Sequence, residues 1–219
     1  MSASDTVEHH DHFLPAYRLE TLGDGVFAIA MTVLVLGIEV PDVSGPGALW
    51  TSLTVLWPKF ASYALSFVML GVLWIGHYYQ FNYIRRTDRR LIWLNLMFLL
   101  TITFLPFGAG VLGNHYEDRT AIVLYGSTIL ASGLLLLLHW MHASSTPYLV
   151  KAQLTAQVTT TLRRRIIAGM FASAVAIGLG FIDTRISLAW FTLLPIIYMR
   201  TSRAERELAA RARSDRTAV

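Results

Sequence analysis

Cysteine is absent from the 219 residues, and charged side chains account for only 15% of them. A chain without cysteine can form neither a disulfide framework nor a metal site with thiolate ligands. Hydrophobic residues make up 54% of the sequence, and so little charge beside so many apolar residues is typical of an integral membrane protein. The composition excludes an ordinary soluble domain.

Motifs that carry catalysis are missing as well. The apolar segments contain no HExxH pair, no glycine-rich phosphate loop, and no set of serine, histidine and aspartate at matching depth. We therefore expect neither an enzyme nor a nucleotide-driven pump. The cluster from His9 to His12 lies in a polar terminal segment, which rarely fixes the ligand geometry of a metal, so we expect no metal and no cofactor.

The apolar segments predict an all-α protein with six transmembrane helices. A helix crosses a hydrocarbon core of about 30 Å at about 1.5 Å per residue. A shorter segment from 48 to 57 is predicted to lie at the membrane interface, because Pro58 separates it from the second span. The predicted spans cover residues 18–41, 60–83, 91–105, 121–139, 166–182 and 186–199.

Lysine and arginine are distributed unequally between the two ends of these spans. All but Lys59, Arg119 and Arg185 fall on the side that also carries both termini. Because positively charged loops stay in the cytoplasm, we predict that both termini are cytoplasmic. The same distribution explains the net charge of +4 without a nucleic-acid partner. We divide the chain into an N-terminal segment (1–17), a transmembrane domain (18–200) and a basic tail (201–219).

The first span, RLETLGDGVFAIAMTVLVLGIEVP, carries a stripe with two open interpretations. Its members are spaced three or four residues apart and share one face of a helix. Small and hydroxyl residues on that face are consistent with packing against other helices. They are also consistent with the lining of a narrow path. The stripe consists of Leu22, Gly25, Ile29, Thr32 and Leu36.

Ionisable residues inside spans are costly, so each is expected to have a partner. Several polar side chains from the first three spans are predicted to lie at one depth and to satisfy one another as a buried network. Ordinary helix capping and interfacial anchoring by Trp and Arg is the alternative. The network would contain Arg18, Asp24, Trp74, His77 and Asn95.

Three motifs resemble a known family. Arg18-x-x-x-Leu22-Gly23-Asp24 resembles the RxxxFSD signature of the transmembrane protein 175 family, the lysosomal potassium channels and their prokaryotic relatives. SFVMLGVLWIGHYYQF, from Ser66, is similar to the second helix of that family, and NLMFLLTITFLPF, from Asn95, to its third. Leu22-Gly23 replaces the usual Phe-Ser, so one hydroxyl of the signature is missing here.

The resemblance implies a homotetramer in the plasma membrane of a prokaryote, with four copies of the first helix around a central pore that conducts potassium. It places an aliphatic ring that closes the pore at Ile29, a threonine ring at Thr32 and a second apolar ring at Leu36, with Leu22 and Gly25 also lining the pore. It also implies that the five network residues support the pore from behind.

Two alternatives remain at this stage. A proton-coupled secondary transporter would use His77 and Asp24 as proton carriers, although the sequence shows no inverted repeat and no broken helices near the midplane. A membrane scaffold without conduction would use Gly25 and Ala28 as contact residues between helices.

Overall fold

A computed structural model describes residues 14–43, 45 and 47–195. The part of the chain that it describes is helical except for short connections and one two-stranded ladder. Among the described residues, four helical segments are long and apolar enough to cross a membrane: Ala16–Gly37, Trp57–Phe81, Arg89–Asn114 and Arg119–Ser145. The helices are α1 (Ala16–Val33), α2 (Ala48–Val55), α3 (Trp57–Phe81), α4 (Arg89–Asn114), α5 (Arg119–Ser145), α6 (Ala156–Gly180) and α7 (184–195).

The first predicted span is α1 together with a 3₁₀ turn, Leu34–Gly37. One face of α1 packs against α3 and α4 and buries apolar or small side chains at helical spacing. The α-helix ends before Leu36, so the predicted stripe does not lie on a single α-helix along its whole length. The buried face consists of Ala16, Leu19, Gly23, Phe27 and Ala30, with Leu34 in the turn.

The predicted interfacial segment forms α2, a separate helix that buries none of its residues against the described part of the chain. Trp50 is 73% exposed on it. The second span then starts earlier than the sequence predicts, because Pro58 is accommodated in the first turn of α3, where its missing N–H costs nothing.

The end predicted for the third span, at 105, is wrong. The helix α4 continues through Pro106 to Asn114. Its apolar face continues too, since Leu105, Ala109 and Leu112 are all buried. Burial against neighbouring helices outweighs the single backbone hydrogen bond that a proline removes, as is common in membrane helices.

The fifth span also differs from the prediction, which placed its start after Arg165. The helix α6 starts at Ala156, and the Thr155 side chain caps it by accepting from the N–H of Val158 at 3.3 Å. Three arginines therefore lie within the helix, about two turns from its start. They keep α6 out of the set of helices that are apolar enough to count as spans by composition alone.

Glycines allow α5 and α6 to approach closely. A β-carbon at Gly133 would lie 2.8 Å from Cγ of Met170, and one at Gly180 would lie 2.8 Å from Cγ2 of Ile122. Small residues at such contacts are the usual device for packing membrane helices. The helix α7 folds back on α6, where Ser187 donates to the carbonyl of Ala176 at 2.6 Å.

A small polar assembly joins the connections on the basic side of the protein. A two-residue strand before α1, β1 (Leu14–Pro15), pairs antiparallel with β2 (Arg86–Thr87) between α3 and α4. Asp88 follows β2 and caps α4, accepting from the N–H of Leu91 at 2.7 Å, and it also contacts His142 Nε2 at 2.8 Å. Burial alone would raise the pKa of Asp88. The Leu91 and His142 contacts outweigh it and hold this pKa below its ordinary value.

Candidate functional site

The stripe of α1 points away from the helices of its own chain. All five of its residues are exposed, with Leu22 45%, Ile29 65% and Leu36 75% accessible. Among the described residues, no atom outside its own stretch of helix lies within 4 Å of where a β-carbon of Gly25 would stand. Within the described part of the chain this face has no partner, which is unusual for a helix that buries its opposite face so completely.

Thr32 uses its hydroxyl within the helix. The side chain donates to the carbonyl of Ile29 at 2.9 Å, three residues earlier. Because the hydroxyl hydrogen is engaged there, the lone pairs of the oxygen face outward from the helix and can accept from water or contact a cation. The structure thus places an aliphatic side chain and a hydroxyl oxygen one turn apart on the exposed stripe.

Asp24 and Trp74 join α1 to α3. The indole Nε1 donates to Oδ1 of Asp24 at 2.8 Å, and both side chains are on the surface of the chain. A hydrogen bond to a carboxylate is among the stronger kinds, although exposure to solvent reduces its contribution. This bond therefore holds α1 in register with α3 at the level of Asp24.

His77 and Asn95 join α3 to α4 in the interior. His77 Nε2 and Asn95 Oδ1 are 2.9 Å apart, and both residues are buried. The imidazole stacks on Phe98 with ring centroids 5.4 Å apart and planes 13° from parallel. Contacts on the ring face and at the ring edge fix its orientation.

Gly23 brings α1 against this imidazole. A β-carbon at position 23 would lie 2.6 Å from Cε1 of His77 and 3.3 Å from Nδ1. The helix α1 can sit where it does only because position 23 carries no side chain. The departure from the family signature noted above thus coincides with direct backbone packing on the histidine.

The structure does not place Arg18 beside the other four residues of the predicted network. It is exposed, and among the described residues it forms no hydrogen bond with Asp24, Trp74, His77 or Asn95. Arg18 lies four residues before Leu22, which places it on the stripe side of α1 and away from α3. The structure therefore contains two pairs where the sequence predicts a network of five.

Sequence reasoning missed a second buried pair beside the first. His139 Nδ1 and Gln80 Oε1 are 2.7 Å apart, and Gln80 Nε2 donates to the carbonyl of Leu136 at 3.0 Å. The rings of His77 and His139 lie 6.2 Å apart. A signal did exist, because Gln80 follows His77 by three residues and so shares its helix face.

Comparison with known proteins identifies relatives along most of the chain. Residues 18–106 match the family described as Endosomal/lysosomal potassium channel TMEM175. A potassium channel of Streptomyces collinus is 35% identical over 185 residues, which cover 83% of this chain and 90% of that protein. The human protein named Endosomal/lysosomal proton channel TMEM175 is 26% identical over 161 residues, covering 73% of this chain and 32% of the human one.

A solved structure has the same fold. The crystal structure of a lysosomal potassium-selective channel TMEM175 homolog from Chamaesiphon minutus aligns with a TM-score of 0.75 at 28% identity, covering 85% of this chain and 97% of that one. The family match, residues 18–106, includes the exposed stripe and the His77–Asn95 pair. This chain belongs to the TMEM175 family.

Proposed function

We propose that this protein is a potassium-preferring cation channel in which four copies of α1 surround a central pore. The observation that carries the proposal is the exposed stripe of α1, which is turned away from the rest of its own chain. The choice of potassium as the conducted ion is supported by the names of relatives, since the Streptomyces collinus protein is called a potassium channel. The chemistry is transport, so no catalytic residue is required.

The gate in this proposal is a ring of four Ile29 side chains. Ile29 lies eleven residues beyond Arg18, about 16 Å along the helix, and so near the middle of a core of about 30 Å. A narrow apolar ring expels water and thereby blocks hydrated ions. Thr32 would then offer four hydroxyl oxygens one turn further along, and Leu36 a second apolar ring in the 3₁₀ turn.

The pairs behind α1 would hold the pore helix in place. Asp24–Trp74 and the contact of Gly23 with His77 both join α1 to α3, and neither lies on the stripe. In this proposal α6 and α7 complete six spans with the four apolar helices, and both termini lie in the cytoplasm of a prokaryotic cell. The basic tail from 201, and the end of the sixth span, lie outside the described residues.

A proton-coupled transporter is the less favoured alternative. Its proton carrier would be His77, which is packed between Phe98, Phe81 and the backbone of α1. A proton carrier must be reached alternately from the two sides of the membrane, and this packing leaves little room for that. The human relative is nevertheless named a proton channel, so proton movement must be measured together with potassium.

The test is ion flux into liposomes that contain the purified protein. We expect potassium flux to exceed sodium flux, and Ile29→Ala to increase flux at rest because the ring widens. Ile167→Ala is the matched control, since this isoleucine of α6 is also exposed, at 46%. The same vesicles with an internal pH dye report protons.

Three results would contradict the proposal. Flux through Ile29→Ala equal to that through Ile167→Ala would remove Ile29 from the gate. Proton movement without potassium flux would favour the transporter. Native mass spectrometry of the purified protein gives the number of chains, and a stable dimer or monomer would contradict the tetramer.

A further inference from the structure

A cleft lies between the start of α3 and the start of α7, on the side of the protein opposite the basic connections. Its volume is about 440 Å³, which is within the range of about 300–1,000 Å³ for sites that bind small molecules. Leu65 and Leu112 are buried at its bottom. We call it the α3–α7 cleft, and its apolar walls include Pro58, Ala61, Leu188 and Ala189.

An exposed ion pair lies at the mouth of the cleft. Nη2 of Arg185 and Oε1 of Glu117 are 3.3 Å apart, and their side chains are 79% and 61% accessible. A guanidinium has five N–H donors and a carboxylate has two oxygens, so this bond leaves both groups able to bind a further charge. The neighbouring Asp183 instead caps α7, accepting from the N–H groups of Arg185 and Ile186 at 2.7 and 3.2 Å.

Two aromatic rings line the same mouth. The ring centroids of Trp57 and Tyr116 are 5.6 Å apart, and their planes are inclined by 58°. Trp and Tyr prefer the boundary between lipid headgroups and hydrocarbon, which places the mouth at the level of the headgroups. The faces of these rings attract cations. The mouth therefore offers sites for a cation and for an anion side by side.

The cleft continues from its mouth toward the hydrocarbon region. Trp57 and Leu65 are eight residues apart on α3, about 12 Å along the helix and close to half of a hydrocarbon core of about 30 Å. The hydroxyls that line the cleft are already engaged. Ser62 donates to the carbonyl of Ala109 at 2.7 Å, and Thr192 donates within its own helix at 2.9 Å. The inner part consequently fits an apolar chain better than a polar solute.

We propose that the α3–α7 cleft binds a zwitterionic phospholipid whose headgroup carries a primary ammonium, with part of one acyl chain inside the cleft. The phosphate contacts Arg185, and the ammonium contacts Glu117 and the face of Trp57. An anionic lipid would match Arg185 but would bring its negative charge to Glu117. A second copy of this protein fits less well, because it would have to supply both signs of charge beside an apolar insertion. This inference does not depend on conduction.

The experiment compares lipids on the intact purified protein by native mass spectrometry. Phosphatidylethanolamine, phosphatidylcholine and phosphatidylglycerol with identical acyl chains are added in turn, and phosphoethanolamine tests the headgroup alone. We expect retained phosphatidylethanolamine to exceed the other two lipids by about two- to five-fold, the range that exposed ion pairs give. Phosphatidylcholine falls behind because its trimethylammonium has no N–H to donate. Phosphoethanolamine should not be retained.

Two variants test the headgroup and the chain separately. Glu117→Gln should remove most of the preference for phosphatidylethanolamine over phosphatidylglycerol, and Glu39→Gln, at another exposed carboxylate, is its control. Ala61→Phe should lower the retention of all three lipids, because the new ring fills the cleft without a change in charge. Ala131→Phe, at an exposed alanine of α5, is the control for that variant.

Four results would overturn the proposal. Phosphatidylglycerol retained as strongly as phosphatidylethanolamine, or an unchanged preference in Glu117→Gln, would contradict the headgroup assignment. Equal retention by Ala61→Phe and Ala131→Phe would show that the lipid binds elsewhere. Fewer chains per particle in Ala61→Phe alone would assign the cleft to a contact between copies. Phosphoethanolamine retained as strongly as the lipid would mean that the site binds a soluble phosphate ester.

Discussion

A β-carbon at Gly23 would lie 2.6 Å from Cε1 of His77, so α1 packs with its backbone directly on a buried imidazole. The ring has nowhere to move, because Asn95 holds its Nε2 at 2.9 Å and Phe98 stacks on its face. Position 23 is where the resemblance leads one to expect serine. In this chain the backbone of α1 packs on the imidazole at the position where the family signature has a serine hydroxyl.

Gly23→Ala should lower the melting temperature in detergent. Overpacking of this kind costs about 1–3 kcal/mol, which exceeds the gain of about 1 kcal/mol from replacing glycine in a helix. Gly178→Ala in α6 is the control, because no atom lies within 4 Å of its new β-carbon. Equal changes in melting temperature for the two variants would show that the imidazole of His77 moves aside for the added methyl group.

Trp74→Phe and Asp24→Ala should be coupled. Each removes the 2.8 Å hydrogen bond between α3 and α1, so the double variant should lose less than the sum of the single losses. We expect a coupling of about 1 kcal/mol, at the low end for a bond to a carboxylate because both groups are exposed. Unfolding of all four proteins in one detergent measures it. Additive losses would mean that the bond does not contribute.

Gln80→Met should cost about 1–3 kcal/mol, because it leaves the Nδ1 of buried His139 without its partner. Adding His139→Phe should restore part of that loss, since an apolar pair of similar size leaves no unsatisfied group. Melting temperatures of the two single variants and the double variant test this. A double variant worse than both single ones would contradict it.

Stability should fall in acid partly through Asp88. The pKa of this carboxyl lies below its ordinary value of 3.8 in the folded protein, so its contribution is present above that value and is lost as the pH falls toward the folded pKa. Asp88→Asn keeps a side chain that can cap α4 but removes the charge that faces His142.

Melting temperature measured from pH 7 to pH 3 checks this expectation. The wild-type curve should fall more steeply below about pH 4 than that of Asp88→Asn. Asp42→Asn, at an exposed aspartate in the connection between α1 and α2, should keep the wild-type slope. Parallel curves for wild type and Asp88→Asn would contradict the role of Asp88.

Hydropathy predicted the helical membrane fold because each long apolar segment must bury or face lipid along its whole length. It failed at helix ends, where local signals compete with packing. Pro106 is a strong breaker in sequence, yet buried Ala109 and Leu112 continue the helix beyond it. The arginines from 163 suggested a boundary, but the cap at Thr155 starts α6 earlier.

The sequence predicts how far along its helix each polar side chain lies, and therefore which side chains lie at the same depth in the membrane. That part of the polar site was predictable. The residues placed at one level include the partners Asp24 and Trp74, and His77 and Asn95. Rotation about the helix axis decides which partners meet, and α5 is too uniformly apolar to reveal its own rotation. The spacing of His77 and Gln80 places both on one face of α3, but it does not show that His139 of α5 meets Gln80, and the pore roles of Ile29, Thr32 and Leu36 stay predictions.

The ladder between β1 and β2 fastens the start of α1 by backbone bonds to the connection between α3 and α4. The rest of the helix is held by side chains, because Phe27 and Ala30 pack in the core and Leu34 is buried in the 3₁₀ turn. A displacement of the connection between α3 and α4 would therefore be passed to α1 as a whole, and the exposed stripe would move with it.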